Sequence, residues 1–329
     1  MLLRLLRSTG AQVIILIPVL AILLWLPTFS HRTGGIFLFD SHPMPSYKLI
    51  NELIPVGSFL GTSIALLLVI AQAFLLVRLN TRFNLINNRT YMPAIMFVLL
   101  TATITDLQRL NPVIFSGFFL LLGMELMFSG YQKGKVAYEF FTASFFISLG
   151  ATFYPYLLFF IFIVWVSLAI LRPFNWREWL FSLMGFLLPW LFVFSYYYLI
   201  HNEPGRIITD LTNAFNSDYD FPQYSLLIYI FGGFTGLLIL VSSQLMIKEF
   251  GSKKILPRKA FLIFLWLFIN CLGVYLLVDQ ASVEIIFLAA IPLSFLFSHY
   301  FTFVKSNFWG ETFITFLILL IILIQFNHQ

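Results

Sequence analysis

The residues able to do chemistry in this chain are few, and they gather in short polar stretches between long apolar ones. Asp40 stands in Leu-Phe-Asp-Ser-His-Pro-Met-Pro, beside His42, and a second polar stretch reads Asp106-Leu-Gln-Arg109. Two carboxylates from different loops could share a divalent metal ion, or one could act as general base toward a hydroxyl. Asp40 and Asp106 are therefore the candidate catalytic residues. Arg109, Arg32 and Lys48 are the candidate phosphate-binding residues, arginine being suited to paired N–H···O contacts with phosphate oxygens. The alternative for the same residues is that connecting loops simply need polar groups, with Asp106 paired to Arg109. Glu125, in Leu-Leu-Leu-Gly-Met-Glu-Leu-Met-Phe-Ser-Gly, is the one ionisable residue well inside an apolar run. A charge at a bilayer centre costs at least ~2.5 to 3.5 kcal/mol, which makes Glu125 a candidate intramembrane site unless its carboxylate reaches the nearby interface. Among His31, His42 and His201, no two share the i, i+4 spacing of a helical metal-ligand pair. The sequence contains no G-x-S-x-G, H-E-x-x-H or phosphate-cradling glycine loop, which argues against a serine hydrolase or an ATPase.

The elements that position these residues follow from composition. Of 329 residues, 60% are hydrophobic and 10% charged, with mean hydropathy +0.94, against about 25% charged in an ordinary soluble domain. Apolar runs recur along the whole chain and leave no polar stretch long enough to fold alone, so residues 1–329 are expected to form a single integral membrane domain. The fold class expected is all-α, a polytopic transmembrane bundle. Helices are expected near 11–29, 55–77, 92–105, 112–129, 136–153, 156–171, 179–200, 225–246, 260–278, 283–304 and 308–326, about eleven in all. The third is short, and is expected to extend through Asp106 or to be partly re-entrant. The fifth and sixth form one apolar run broken at Tyr154-Pro155, where proline removes an N–H and clashes with a continuing helix. The single cysteine, Cys271, lies in an apolar run, so neither an intrachain disulfide nor a cysteine metal site is available.

Orientation follows from the excess of Lys and Arg in cytoplasmic loops. With the N-terminus inside, 15 of the 19 basic residues fall on the cytoplasmic side, and only Arg32, Lys48, Arg109 and Arg206 remain outside. Basic residues spread loop by loop are not the single basic face a nucleic-acid binder needs, so the partner expected is the lipid bilayer, in a bacterial inner membrane. Two outer segments are long. Residues 30–54 carry an apolar stripe of Tyr47, Leu49, Ile50, Leu53 and Ile54, which predicts a short amphipathic helix on the membrane surface. Residues 201–224 are the most polar stretch, with turns expected at Asn213 to Asp220 and at Pro222.

The segment from Phe140 to Phe194 resembles the middle of C-type glycosyltransferases, polytopic enzymes that use polyprenyl-phosphate-linked sugars. The likeness rests on small residues from Ala143 to Gly150, a break at Pro155, a basic turn from Arg172 to Arg177, and Leu188-Pro189-Trp190. It implies a GT-C-like architecture over about the first 200 residues, a polyprenyl-phosphate sugar donor, and acids in the first two outer loops, positions matched by Asp40 and Asp106. The whole chain is also similar to a family of bacterial polytopic membrane proteins, some of which carry a carotenoid monooxygenase label. Familiar carotenoid-cleaving oxygenases bind iron through four histidines in a soluble β-propeller. Five histidines on two sides of a membrane, with no strand periodicity, do not fit that chemistry. Three classes therefore stay open: an outward-facing glycosyltransferase, a non-catalytic component of an envelope assembly or secretion machine, and a lipid or solute transporter. The last would be expected to show an internal repeat and a charged path, and the sequence displays neither.

The orientation is testable with cysteines introduced at Ser217 and Ser252. An impermeant thiol reagent is expected to label the first in intact cells and the second only after permeabilisation. The reverse pattern would invert the topology.

Overall fold

The computed structural model describes residues 3, 6, 7, 10–30, 37–86, 90–134, 136–201, 205–216 and 225–327. Arg32, His31 and Ser217 lie outside the described residues. Among those described, the secondary structure is helical, without strands. The helices are α1 (Ala11–Ser30), α2 (Leu38–Ser41), α3 (Pro45–Leu53), α4 (Phe59–Phe83), α5 (Met92–Thr101), α6 (Pro112–Ser129), α7 (Ala137–Ala151), α8 (Ile161–Leu171), α9 (Trp176–Tyr196), α10 (Arg206–Asn216), α11 (Leu226–Glu249), α12 (Ile255–Leu277), α13 (Ile285–Phe303) and α14 (Asn307–Asn327). Every apolar run predicted to be helical is occupied by helix. Eight of these helices are long and apolar enough to cross a membrane, making this a multi-pass all-α membrane bundle. The segments over α5, α7 and residues 155–171 are shorter.

Helix α5 explains why one apolar run is short. All ten of its residues are buried, and it packs mainly against α13, with α4 and α1 alongside. Because its ends stop inside protein, its free backbone groups need side-chain partners, since an unpaired group in an apolar medium costs several kcal/mol. Gln108 and Gln325 provide them. Gln108 Nε2 donates to Ala102 O (2.9 Å), and Gln325 Nε2 donates to the same oxygen (3.0 Å) and to Leu24 O (2.9 Å). Leu24 lies in the last turns of α1, where Pro27 interrupts the hydrogen-bond ladder. At the other end, Asn80 of α4 accepts from Ile86 N and donates to Thr90 O, closing the approach to α5. The predicted extension of this helix through Asp106 is not observed. The helix stops at Thr101, and Asp106 sits in a separate 3-10 turn, Thr105–Leu107.

The break expected at Tyr154-Pro155 is present. Helix α7 ends at Ala151, a 3-10 turn runs Pro155–Phe160, and α8 follows. Around this break α6, α7 and α9 pack closely through small residues, the usual way for membrane helices to approach. Ser116 Oγ of α6 donates to Gly150 O of α7 (2.8 Å), and Ser148 Oγ donates to Phe186 O of α9 (2.5 Å). Within residues 30–54, α3 forms where the stripe predicted a helix, but the stripe divides. Tyr47 is buried and Ile50 and Ile54 pack on the core, whereas Leu49 and Leu53 are exposed. The region of residues 201–224 was expected to turn at Asn213. Instead Asn213 to Asn216 complete α10, whose inward face is Ile207, Ala214 and Phe215. The rest of that turn run lies outside the described residues.

The α7–α9 contact generates a packing test. A Cβ at Gly185 would overlap the Phe141 carbonyl and press on Ser144 Oγ. Gly185→Leu is expected to cost at least about 1 to 3 kcal/mol by overpacking, seen as a marked loss of monodisperse protein after detergent extraction. Unchanged yield would mean that α7 and α9 do not meet at this register.

Candidate functional site

Arg109 is placed by the turn between α5 and α6. Asn111 caps α6 by accepting from Ile114 N (3.0 Å) and donates to Leu107 O and Arg109 O, which locks the turn. The guanidinium, almost fully buried, lies over the rings of Phe37 and Phe39, 5.6 and 5.8 Å from their centroids. Its Nη2 meets Asp40 Oδ2 at 2.5 Å, and the same carboxylate oxygen accepts from Phe37 N (3.0 Å). Tyr47 stands edge-on to Phe39, and its hydroxyl donates to Leu110 O (3.0 Å). Burial holds the Tyr47 hydroxyl above its ordinary pKa, with the Asp40 charge acting the same way. Residues 37–47 are thus clamped onto the 105–111 turn.

This clamp presents His42 to two adjoining hollows. One, a narrow crevice of about 10 Å³, is lined by Leu38, Phe39, His42, Tyr154, Pro155, Tyr156, Ala214 and Glu284. The other, about 120 Å³ and more polar, is lined by Ser41, His42, Pro43, Lys48, Asp210 and Asn213. Helix α10 closes the second hollow because Tyr156 Oη donates to Ala214 O (2.9 Å) and the Tyr156 ring meets Phe215 edge-on. Asp210 accepts a hydrogen bond from the Tyr197 hydroxyl at 3.3 Å.

Glu284 lies in the connection ahead of α13 and is buried. Its Oε1 accepts from Tyr154 Oη (3.2 Å) and Ser282 N (3.1 Å), and its Oε2 from Ser282 Oγ. Burial raises its pKa, and these hydrogen bonds offset only part of the effect. Tyr154 is likewise pushed well above the ordinary tyrosine value by burial and then by the Glu284 charge.

Of the residues singled out in the sequence, the structure joins Asp40 to Arg109 in one ion pair and brings Lys48 to the polar hollow. Asp106 is half-buried in its 3-10 turn, and neither acid lines the two hollows. Glu125 is elsewhere, paired with Arg78 (2.9 Å) and with Arg82 of α4. Among the described residues no three His, Cys, Asp or Glu side chains converge as a metal site would require. Glu284, Tyr154 and Asp210 were not recognised as site residues in the sequence. Their only local signal is that each stands in or beside a turn between apolar runs.

Residues 50–329 match the model of DUF6427, a family of unknown function. The chain belongs to this family. No curated protein and no solved structure matches it.

The raised pKa of Glu284 fixes the sign of a pH effect. Above the ordinary value of 4.5, and up to the raised one, the folded state holds a proton that the unfolded chain has released. Stability therefore falls as pH rises through that window. Glu284→Gln should remove this slope and melt no lower than wild type near neutral pH, as read by thermal unfolding in detergent from about pH 4 to pH 8. A wild-type melting temperature that rises through the window would show that the carboxylate is stabilised ionised.

Proposed function

We propose that this DUF6427 protein is an outward-facing transferase of the bacterial inner membrane, acting on a polyprenyl-phosphate-linked sugar at the hollow that holds His42, Lys48 and Asp210. The observation carrying this reading is the convergence of an imidazole, an ammonium and a carboxylate on one open polar space beside an apolar bundle. Lys48 would meet the phosphate. His42 would accept the proton of an acceptor hydroxyl as its oxygen bonds to the anomeric carbon, while the carbon–oxygen bond to phosphate breaks and its electron pair leaves with the polyprenyl phosphate. Asp40 then serves as a positioning residue. Its carboxylate is already engaged by Arg109 and the Phe37 N–H, and it anchors the segment ending at His42. Asp106, proposed from sequence as a second acid, would support the same turn.

A second reading is a non-catalytic component of an envelope assembly. It is favoured by the pairing of the candidate acids with basic residues of the bundle itself, Asp40 with Arg109 and Glu125 with Arg78 and Arg82.

Both readings meet one experiment, transfer from a polyprenyl-phosphate-linked sugar in membranes containing the wild type or a variant. His42→Gln is expected to lower the rate about 10²-fold or more, in line with loss of a general base. Lys48→Gln should mainly raise KM for the donor, and both should leave protein abundance unchanged. Absence of donor turnover by the wild type, or full activity of both variants, would leave the non-catalytic reading in its place.

A further inference from the structure

At the other end of α13 the molecule builds a different kind of site. A cleft with a cavity volume of about 260 Å³ runs between α11, α12 and α13, walled by Met246, Phe250, Phe261, Leu265 and Leu296, with Ser243 its one polar side chain. That is just under the ~300–1,000 Å³ of pockets for drug-sized ligands and gives room for part of one acyl chain. One end of the cleft abuts a group of ionisable residues that the bundle has no evident structural need to bury. Lys253 is 2% exposed, its ammonium 5.4 Å from the Phe261 centroid and 5.3 Å from that of Phe303. His299, fully buried, packs against the same two rings. Its Nε2 lies 3.1 Å from Glu249 Oε2, but at an angle unsuited to hydrogen bonding, and neither ring nitrogen has a partner of good geometry. Phe261 is therefore both a wall of the cleft and the ring on which Lys253 and His299 rest.

The surrounding charge is one-sided. Lys248, Lys253, Lys254, Arg258 and Lys259 fall within twelve residues, against the single acid Glu249. Basic groups flanking a gap between membrane helices favour anionic lipid headgroups. An apolar cleft ending at such a cluster matches one molecule with an acyl chain and a phosphate.

We propose that this cleft is a specific site for an anionic glycerophospholipid. One acyl chain lies between α11, α12 and α13, and the headgroup phosphate sits at the exposed Lys248 and Lys254, with the buried Lys253 adding its charge from behind the Phe261 ring. The site stands apart from the His42 hollow, because Glu284 precedes the first turn of α13 and Phe303 ends its last. It does not depend on the transferase reading.

The test uses the full chain purified in detergent, titrated with dioleoyl phosphatidylglycerol, dioleoyl phosphatidylcholine or inorganic phosphate, with bound lipid read by native mass spectrometry. The wild type is expected to prefer phosphatidylglycerol about tenfold. Lys253→Gln should weaken phosphatidylglycerol roughly five-fold, the share of one near-surface cation, and leave phosphatidylcholine unchanged. Leu265→Trp, at a half-exposed position on the cleft wall, should weaken both lipids, and it protects the test should Lys253→Gln fail to fold. Lys305→Gln removes a charge nearby outside the cleft and should change nothing. Equal binding of the two lipids would overturn the proposal, as would an equal effect of Lys305→Gln and Lys253→Gln. Full displacement of phosphatidylglycerol by inorganic phosphate would also overturn it, since the acyl chain would then contribute nothing.

Discussion

The shortness of α5 governs much of what surrounds it. Ten wholly buried residues cannot carry both helix ends to water, and four carbonyls at a helix C-terminus have no partner within the helix. Two glutamines from distant parts of the chain close that end, and both also reach Leu24 O, where proline has already loosened α1. A hydrogen bond left unmade here would cost more than one made would contribute. The meeting of α1, α5 and α14 is thereby held in one arrangement.

Ending α5 early has a second effect. The chain must turn inside the bundle, so the 105–111 segment and Arg109 with it are buried. A guanidinium cannot shed its charge and needs an anion. Asp40 is that anion, brought from the short helix α2, 69 residues away. Such a pair is weak evidence for net stability, because desolvating both charges offsets most of their attraction, yet separating them leaves a costly lone ion. Its effect is to fix where residues 37–47 lie, and through them where His42 faces.

Much of the bundle was legible in the sequence. Helices need only a local apolar run, and a proline break such as Tyr154-Pro155 is a local event. The burial of α5 was half visible, as a run too short to span. The candidate site was harder to read because its contacts are long-range. Asp40 and Arg109 were both identifiable, yet their union depends on how α5 and α6 turn. Tyr154 and Glu284 are 130 residues apart, and no spacing rule joins them. Helix α10 was hidden by the polarity of its exposed side, although Ile207, Leu211, Ala214 and Phe215 recur at intervals of three or four and could have revealed it.

Two of the carboxylates singled out in the sequence, Asp40 and Glu125, show how location decides the role of a charge. Glu125 is buried along its stem, but its partners Arg78 and Arg82 sit a helical turn apart on α4 with side chains 61% and 47% exposed. Its charge is therefore shared with a solvated pair, and the membrane penalty that would mark it as functional is largely avoided. Asp40 has a partner only 11% exposed, whose field is little screened by solvent. The exposed triad can rearrange without moving a helix, whereas the buried pair cannot part without releasing the segment that carries His42. If the His42 hollow does chemistry, its geometry depends on a charge pair that need not touch the substrate.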